Sequence, residues 1–402
     1  MMGDFADSVA RLCIEKYNCL KKTGKPNDHE WTVLSGIVLR TADGKLFLVA
    51  LATGTKCLGE SELINGTREE RGSRLSDSHA EVLARRAFLR YLYEQVDLVL
   101  SNYESAIFSR IEGNGIALRS GVSFHFFSSQ TPCGDCSIFP KRETWGDNDE
   151  LPSKIRCISE DANESKKSIN SECGDIYRTG AKCIKEDSVQ DPHLPGVNYH
   201  VVGSLRTKPG RGDPTSSLSC SDKIAKWLVL GLQGSLLSLL IPSIKLETIT
   251  IGDKCPFSLE AMERGLYKRF GKMSGPKIFQ ARTCFAHRRK QGRVRPCPSS
   301  VIWCAVRSSE LEIAVEGRKQ GVTKKKKTSN CLLVSRQMLL RTFLQILDKH
   351  EIDCSKIRHL KKITYYDWKK RSISYYNKWK QLKLESFHKW PWKPVHLRNF
   401  VL

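Results

Sequence analysis

The feature that most constrains this chain is a histidine two residues before a glutamate, followed downstream by Pro-Cys-x-x-Cys, each at the edge of a predicted element. Asp77-Ser-His-Ala-Glu81 opens the stretch 76–96, where Val82, Leu83, Ala87, Leu89, Tyr91 and Leu92 recur at helical spacing among arginines. Thr131-Pro-Cys-Gly-Asp-Cys136 follows the apolar run 122–128, which reads as a buried strand. A third segment, Ser219-Cys-Ser-Asp-Lys223, opens another apolar stretch, 219–240. Neutral imidazole and thiolate are natural zinc ligands, and a helix N-terminus favours the thiolate. Three protein ligands leave one position for a water, whose pKa the metal brings to about 7. Glu81 stands too close to His79 to ligate beside it, but it can reach such a water and move its proton. Each motif also has a structural explanation. Ser78 and Glu81 have capping-box spacing, and an isolated Cys-x-x-Cys also occurs as half a structural zinc site or a redox pair. By spacing alone, Cys133 and Cys136 would be the two sulfur ligands.

The remaining pattern places these motifs in a mixed α/β layer architecture, because strands and helices alternate throughout. Two β-rich runs, 31–40 and 45–52, flank the hairpin signal Thr41-Ala-Asp-Gly44. Further strands are expected at 197–205 and 246–251, with a hairpin from 300–307 and 310–316. Helices are expected at 219–240, 258–270 and 335–347, and 360–387 is long, basic and aromatic. Residues 1–29 read as an amphipathic N-terminal segment, 30–402 as one catalytic domain, and about 141–174 as a polar surface insertion. The longest apolar stretch, 227–241, is shorter than the roughly twenty residues a membrane span needs, so no membrane partner is expected. Fifteen cysteines scattered without a short framework, and no N-terminal leader pattern, point to a reducing intracellular compartment, cytoplasm or nucleus.

With its histidine, glutamate and Pro-Cys-x-x-Cys in this order, the sequence carries the zinc deaminase signature. More closely, it resembles the RNA adenosine deaminases, which convert adenosine to inosine. The resemblance rests on His79-Ala-Glu81 with Arg85-Arg86, Pro132-Cys-Gly-Asp135, and Ser219-Cys-Ser-Asp-Lys223 followed by Gln233-Gly-Ser235. Arg178-Thr-Gly-Ala-Lys-Cys183 and Lys208-Pro-Gly-Arg-Gly-Asp213 are similar to the eukaryotic tRNA-specific branch of that family. The resemblance implies a cytidine-deaminase-like three-layer mixed sheet with a helical C-terminal extension. It implies zinc on His79, Cys133 and Cys220, leaving Cys136 as a core cysteine, and Glu81 as the catalytic proton shuttle. It also implies a buried inositol hexakisphosphate, with Arg85, Arg86, Lys223, Lys226, Ser235, Arg336, Tyr366, Lys370, Tyr376, Lys380, Trp390 and Lys393 at the matching positions. Tyr366, Lys370, Tyr376 and Lys380 share one face of a helix turning ~100° per residue. So many enclosed cations are tolerable only around a dense anion. Thr55 and Lys56 match positions that meet the edited nucleotide, and the implied substrate is the anticodon loop of alanine tRNA, at position 37.

The formal charge of +23 agrees with a polyanionic partner. Lys208 and Arg211, with the basic stretch 287–295, are candidate phosphate contacts, and 324–327 is a charge run. No obligatory protein partner is evident. Two alternatives stay open at this point: an editing deaminase of double-stranded RNA, and a non-catalytic RNA-binding protein that keeps zinc and inositol phosphate for structure. An intact Glu81 favours an enzyme, since a structural zinc site has no use for a proton shuttle.

Overall fold

The computed structural model describes residues 2–64, 71–111, 115–141, 174–184, 189–209, 213–321, 331–352, 363–391 and 395–402. The 141–174 insertion (save its end residues), the 324–327 charge run, Arg211 and Lys393 lie outside the described residues. The helices that matter here are α1 (Met2–Cys19), α2 (Glu60–Ile64), α3 (Ala80–Leu100), α4 (Cys220–Leu230), α5 (Gly234–Leu237), α6 (Leu259–Leu266), α7 (Arg336–Lys349), α8 (Tyr365–Arg371) and α9 (Ile373–Glu385). The central sheet is built from β1 (Leu34–Arg40), β2 (Leu46–Thr53), β3 (Ser123–Ser128), β4 (Thr248–Ile251), β5 (Lys277–Gln280), β6 (Ser299–Cys304), β7 (Leu311–Val315) and β8 (Arg318–Lys319). Their order is β5-β4-β3-β1-β2-β6-β7-β8. The pairs β5–β4 and β4–β3 are parallel, and the other neighbours are antiparallel, so the sheet is mixed.

Alternation along the strands gives the sheet two apolar faces. Ile37 and Leu39 point to one side and Val38 to the other; Ala50 and Ala52 oppose Leu51, and Phe124 and Phe126 oppose Phe127. The first side is covered by α3, through Leu83, Ala87, Phe88, Leu92 and Val96. The second is covered by α1, through Val9, Ala10, Cys13 and Tyr17. The result is a three-layer α/β/α arrangement. Asp7 also accepts hydrogen bonds from Arg282 N (2.6 Å) and Nε (2.7 Å), tying this N-terminal helix to the chain after β5. No described helix is long and apolar enough to cross a membrane.

Two other expectations change. The apolar stretch 219–240 is two helices, because Gly231 at φ +90° turns the chain between α4 and α5. The stretch expected as a strand at 197–205 holds the 3₁₀ turn Gly196–Tyr199 instead, and only Arg206–Thr207 pairs, with Lys182–Cys183.

Candidate active site

His79 sits at the junction where the short strand Asp77–His79 becomes α3. That strand pairs antiparallel with Thr55–Cys57, which sets Thr55 beside His79 and Lys56 beside Ser78. Cys133 follows β3 by five residues, and Cys220 is the first residue of α4, whose N-cap Ser219 accepts from Asp222 N at 3.2 Å. The three side chains converge. His79 Nδ1 is 4.0 Å from Cys133 Sγ and 3.6 Å from Cys220 Sγ, and all three donor atoms lie within 4.8 Å of one another. Ligands at zinc's tetrahedral bond lengths stand about 3.6 Å apart (nitrogen to sulfur), so the spacing and the donor chemistry both fit that ion. The Cys220 backbone N–H donates to Cys133 Sγ at 3.3 Å, turning the helix N-terminus onto the sulfur. The hydrogen bond with the Cys220 thiol, supported against burial by the charges of Lys208 and His79, holds the Cys133 thiol well below its ordinary range.

Cys136 is not part of this cluster. It is buried against α6, where its Sγ points to Met262 O at 3.9 Å, and burial pushes its thiol up to about 12. A neutral thiol packed in a core is a poor ligand. Glu81 is 3 % exposed, and its Oε2 has no hydrogen-bond partner among the described residues. Burial, offset in part by His79, raises its pKa. The capping box does not form: His79 is the N-cap and no side chain caps the helix. Thr55 Oγ1 is likewise buried without a partner among the described residues, in the strand alongside His79.

Lys208 is a correction. As a candidate phosphate contact it should be on the surface, yet its side chain is 0 % exposed and its Nζ lies 2.8 and 3.1 Å from the two carboxylate oxygens of Asp77. Burial opposes its charge, but Asp77 and the nearby sulfurs overcome this and raise its pKa well above normal. Lys223 pairs with the same Asp77 carboxylate. Burial would raise the Asp77 pKa, and the two lysines instead bring it well below the usual range. In the basic stretch 287–295, Arg293 is engaged internally, donating to the carbonyls of Asn27 (2.7 Å) and Glu30 (2.8 Å), while Arg289 and Lys290 are exposed.

One turn beyond Glu81, α3 presents Arg85 and Arg86 to a second centre. Burial lowers the pKa of both, in Arg86 to about 9 with the help of neighbouring Arg336. Arg85 Nε and Arg86 Nη2 are buried without partners among the described residues. Lys226 from α4 lies 3.6 Å from the Trp379 ring centroid and 4.9 Å from that of Trp390, and burial among other cations brings its pKa well below normal. Ser235 donates to Lys369 O at 3.1 Å, which docks α8 here. Arg85, Arg86 and Lys226 are enclosed by protein, yet each keeps some accessible surface, as residues lining an internal recess do. The orphaned guanidinium nitrogens make this recess a fit for a polyanion.

The C-terminal register also changes. Lys370 and Lys380 are exposed, Lys370 pairing with Asp367 at 3.7 Å, and Tyr366 lies beneath Lys370 and Arg398. Tyr365 and Tyr375 feel the charge of the arginines instead, and Lys369 lies 5.6 Å from the Tyr365 ring centroid. One helical face could not carry the four expected residues, since Ser372 (ψ 77°) breaks the helix into α8 and α9. The groove of about 490 Å³ between α3 and α7, lined by Arg90, Glu94, Asp97 and Lys349 among others, shares no residue with either centre.

The family comparison agrees with this geometry. A family model described as the adenosine-deaminase (editase) domain matches residues 50–394. The chain belongs to that family. It is 33% identical to the human tRNA-specific adenosine deaminase 1, across 98% of this chain and 99% of that protein. The same-named protein of Drosophila melanogaster is 36% identical across 98% and 96%. The mouse double-stranded RNA-specific adenosine deaminase is 27% identical over 99% of this chain but only 33% of its own length. Against this editase fold, sequence reasoning missed Asp77, Tyr365, Lys369, Tyr375 and Trp379. Asp77 stood inside a quoted motif, but its partners lie 131 and 146 residues downstream. The tyrosines and lysine sit in doublets, Tyr365-Tyr366, Lys369-Lys370 and Tyr375-Tyr376, so either register shows the same spacing.

Proposed function

We propose that this chain catalyses the zinc-dependent hydrolytic deamination of adenosine to inosine in tRNA, at position 37 of alanine tRNA. The observation that carries the reading is the convergence of His79, Cys133 and Cys220 beside a buried Glu81 with an unpartnered oxygen. Zinc held by those three would supply Lewis-acid activation and one open coordination position. Glu81 accepts a proton from the attacking water and returns it to the amine, which leaves as ammonia. Its raised pKa suits a group that must both take and give a proton. Thr55 and Lys56 flank the approach beside His79 and would hold the nucleotide. The tRNA substrate is supported by the two full-length relatives, named tRNA-specific adenosine deaminases. An anticodon loop also presents an unstacked adenosine at little cost. The basic recess holds inositol hexakisphosphate, through Arg85, Arg86, Lys223, Lys226, Ser235, Arg336 and Trp390 together with Tyr365, Lys369 and Tyr375. Cys133, Cys136 and Cys220 are free thiols, in keeping with action in a reducing compartment, cytoplasm or nucleus.

Incubation with unmodified alanine tRNA, followed by position-by-position mapping of inosine, tests the reading. Inosine at position 37 is the expected result, and editing of duplex RNA but not tRNA would overturn it. Glu81→Gln should keep its zinc while kcat falls by about 10²–10⁴.

A further inference from the structure

The last residues of the chain take no part in the chemistry above, yet they are closely packed. Phe400 is 7 % exposed, and its ring stacks on Tyr365 with centroids 5.1 Å apart and planes inclined by 13°. Tyr365 N donates to Phe400 O at 2.9 Å, so backbone and ring are fixed together. The same ring meets Gly72, where a Cβ would come within 2.4 Å of it at φ +77°, so only glycine admits the ring. Gly72 O in turn accepts from Gln337 N at 2.9 Å, next to Arg336. Three residues before Phe400, Leu397 is 6 % exposed and clusters with Leu58 and with Leu63 of α2. Leu58 directly follows the strand of Thr55 and Lys56, and its N–H donates to Ser76 O at 3.1 Å, one residue before Asp77.

This short tail thus touches two places at once: the tyrosine facing the enclosed cations, and the wall of the nucleotide approach. Lys369, Arg336, Arg86 and Arg85 all act on Tyr365, and without an anion their mutual repulsion would oppose the packing of the elements that Phe400 bridges. The side-chain contacts of Phe400 and Leu397 are apolar and cannot offset that repulsion, whereas a polyphosphate can. We propose that Phe400 and Leu397 are positioning residues: Phe400 closes the basic recess over its anion, and Leu397 carries the resulting order to the Leu58–Leu63 wall beside the nucleotide. The proposal rests on the reading that the recess holds a polyphosphate.

The test measures protein-bound phosphate through extended dialysis, with zinc content as the folding control and kinetics on tRNA alongside. Wild type should retain its phosphate. Phe400→Ala should lose it about ten-fold faster, and Phe400→Tyr should restore retention. Leu397→Ala should keep the phosphate and raise KM several-fold with kcat nearly unchanged, the signature of weakened substrate positioning. A wild type without phosphate overturns the polyphosphate reading and the closure with it. Phosphate in wild type but equal retention in Phe400→Ala overturns the closure alone, and an unchanged KM in Leu397→Ala overturns the link to the nucleotide wall. Should Phe400→Ala prove insoluble, Phe400→Leu is read by the same criteria.

Discussion

Two buried centres share α3, and they are opposites in charge. The first gathers an imidazole, two sulfurs and a carboxylate around His79, a set of donors that suits a cation. The second, beginning at Arg85, gathers guanidinium and ammonium groups and suits an anion. At ~1.5 Å per residue, they begin less than about 10 Å apart along the helix axis. Asp77 stands between them, paired with Lys208 towards the sulfurs and with Lys223, and its charge also reaches Arg86 and Arg336. Neither set of like groups would be tolerated alone in a protein interior, since each uncompensated charge costs several kcal/mol. The contrast teaches that one helix can serve two sites of opposite charge, each calling for a counter-ion of its own.

That view can be broken most sharply at the sulfurs. Cys220→Ala should abolish both zinc content and inosine formation, while Cys136→Ala leaves both close to wild type. Metal analysis with the tRNA assay checks this, and the reverse pattern removes the donor set. Next in size is the shared carboxylate. Asp77→Asn leaves Lys208 and Lys223 buried without their counter-ion and should cost about 3–5 kcal/mol in chemical denaturation. A loss below about 1 kcal/mol would mean that the two centres do not depend on it. Lys226→Met sharpens the comparison by its sign. With the polyphosphate bound it should destabilise by about 1–3 kcal/mol, and in phosphate-stripped protein it should stabilise, because an unpaired buried ammonium has been removed. The smallest effect concerns a buried polar group remote from both centres. His125 on β3 contacts Thr248 Oγ1 at 2.9 Å, and burial brings its pKa down to about 4. It is neutral in the fold, so the unfolded chain takes up the extra proton first. Its share of stability should therefore be full above about pH 6.5 and fade as pH falls towards 4. His125→Asn should flatten that part of the denaturation-midpoint profile.

Much of this was legible in the sequence because the informative contacts are local or strongly patterned. The alternation in β1 and β2 and the hairpin between them follow from two-residue periodicity and Gly44. His79, Glu81 and Cys133 stood out by residue type and spacing at element edges, whereas Cys220 in place of Cys136 entered only through the family resemblance. What sequence missed is set by long-range packing. Charge alone cannot distinguish a surface lysine from Lys208, whose burial becomes visible only once Asp77 is brought opposite it. The register of the aromatic helices was fixed by Trp368, buried against Phe343, which turns Tyr365 rather than Tyr366 inward. For α1, its amphipathic face could be read, but its docking site on the second face of the sheet could not.

The spread of the metal donors along the chain has a consequence for biosynthesis. Cys133 and Cys220 lie 54 and 141 residues beyond His79, and the recess also needs side chains from Arg336 to Trp390. A ribosome delivers the N-terminal portion first. A metal at this site could therefore be captured only once Cys220 has been made, and a polyanion in the recess only after Trp390, so loading would follow a fixed calendar in which the cation comes first.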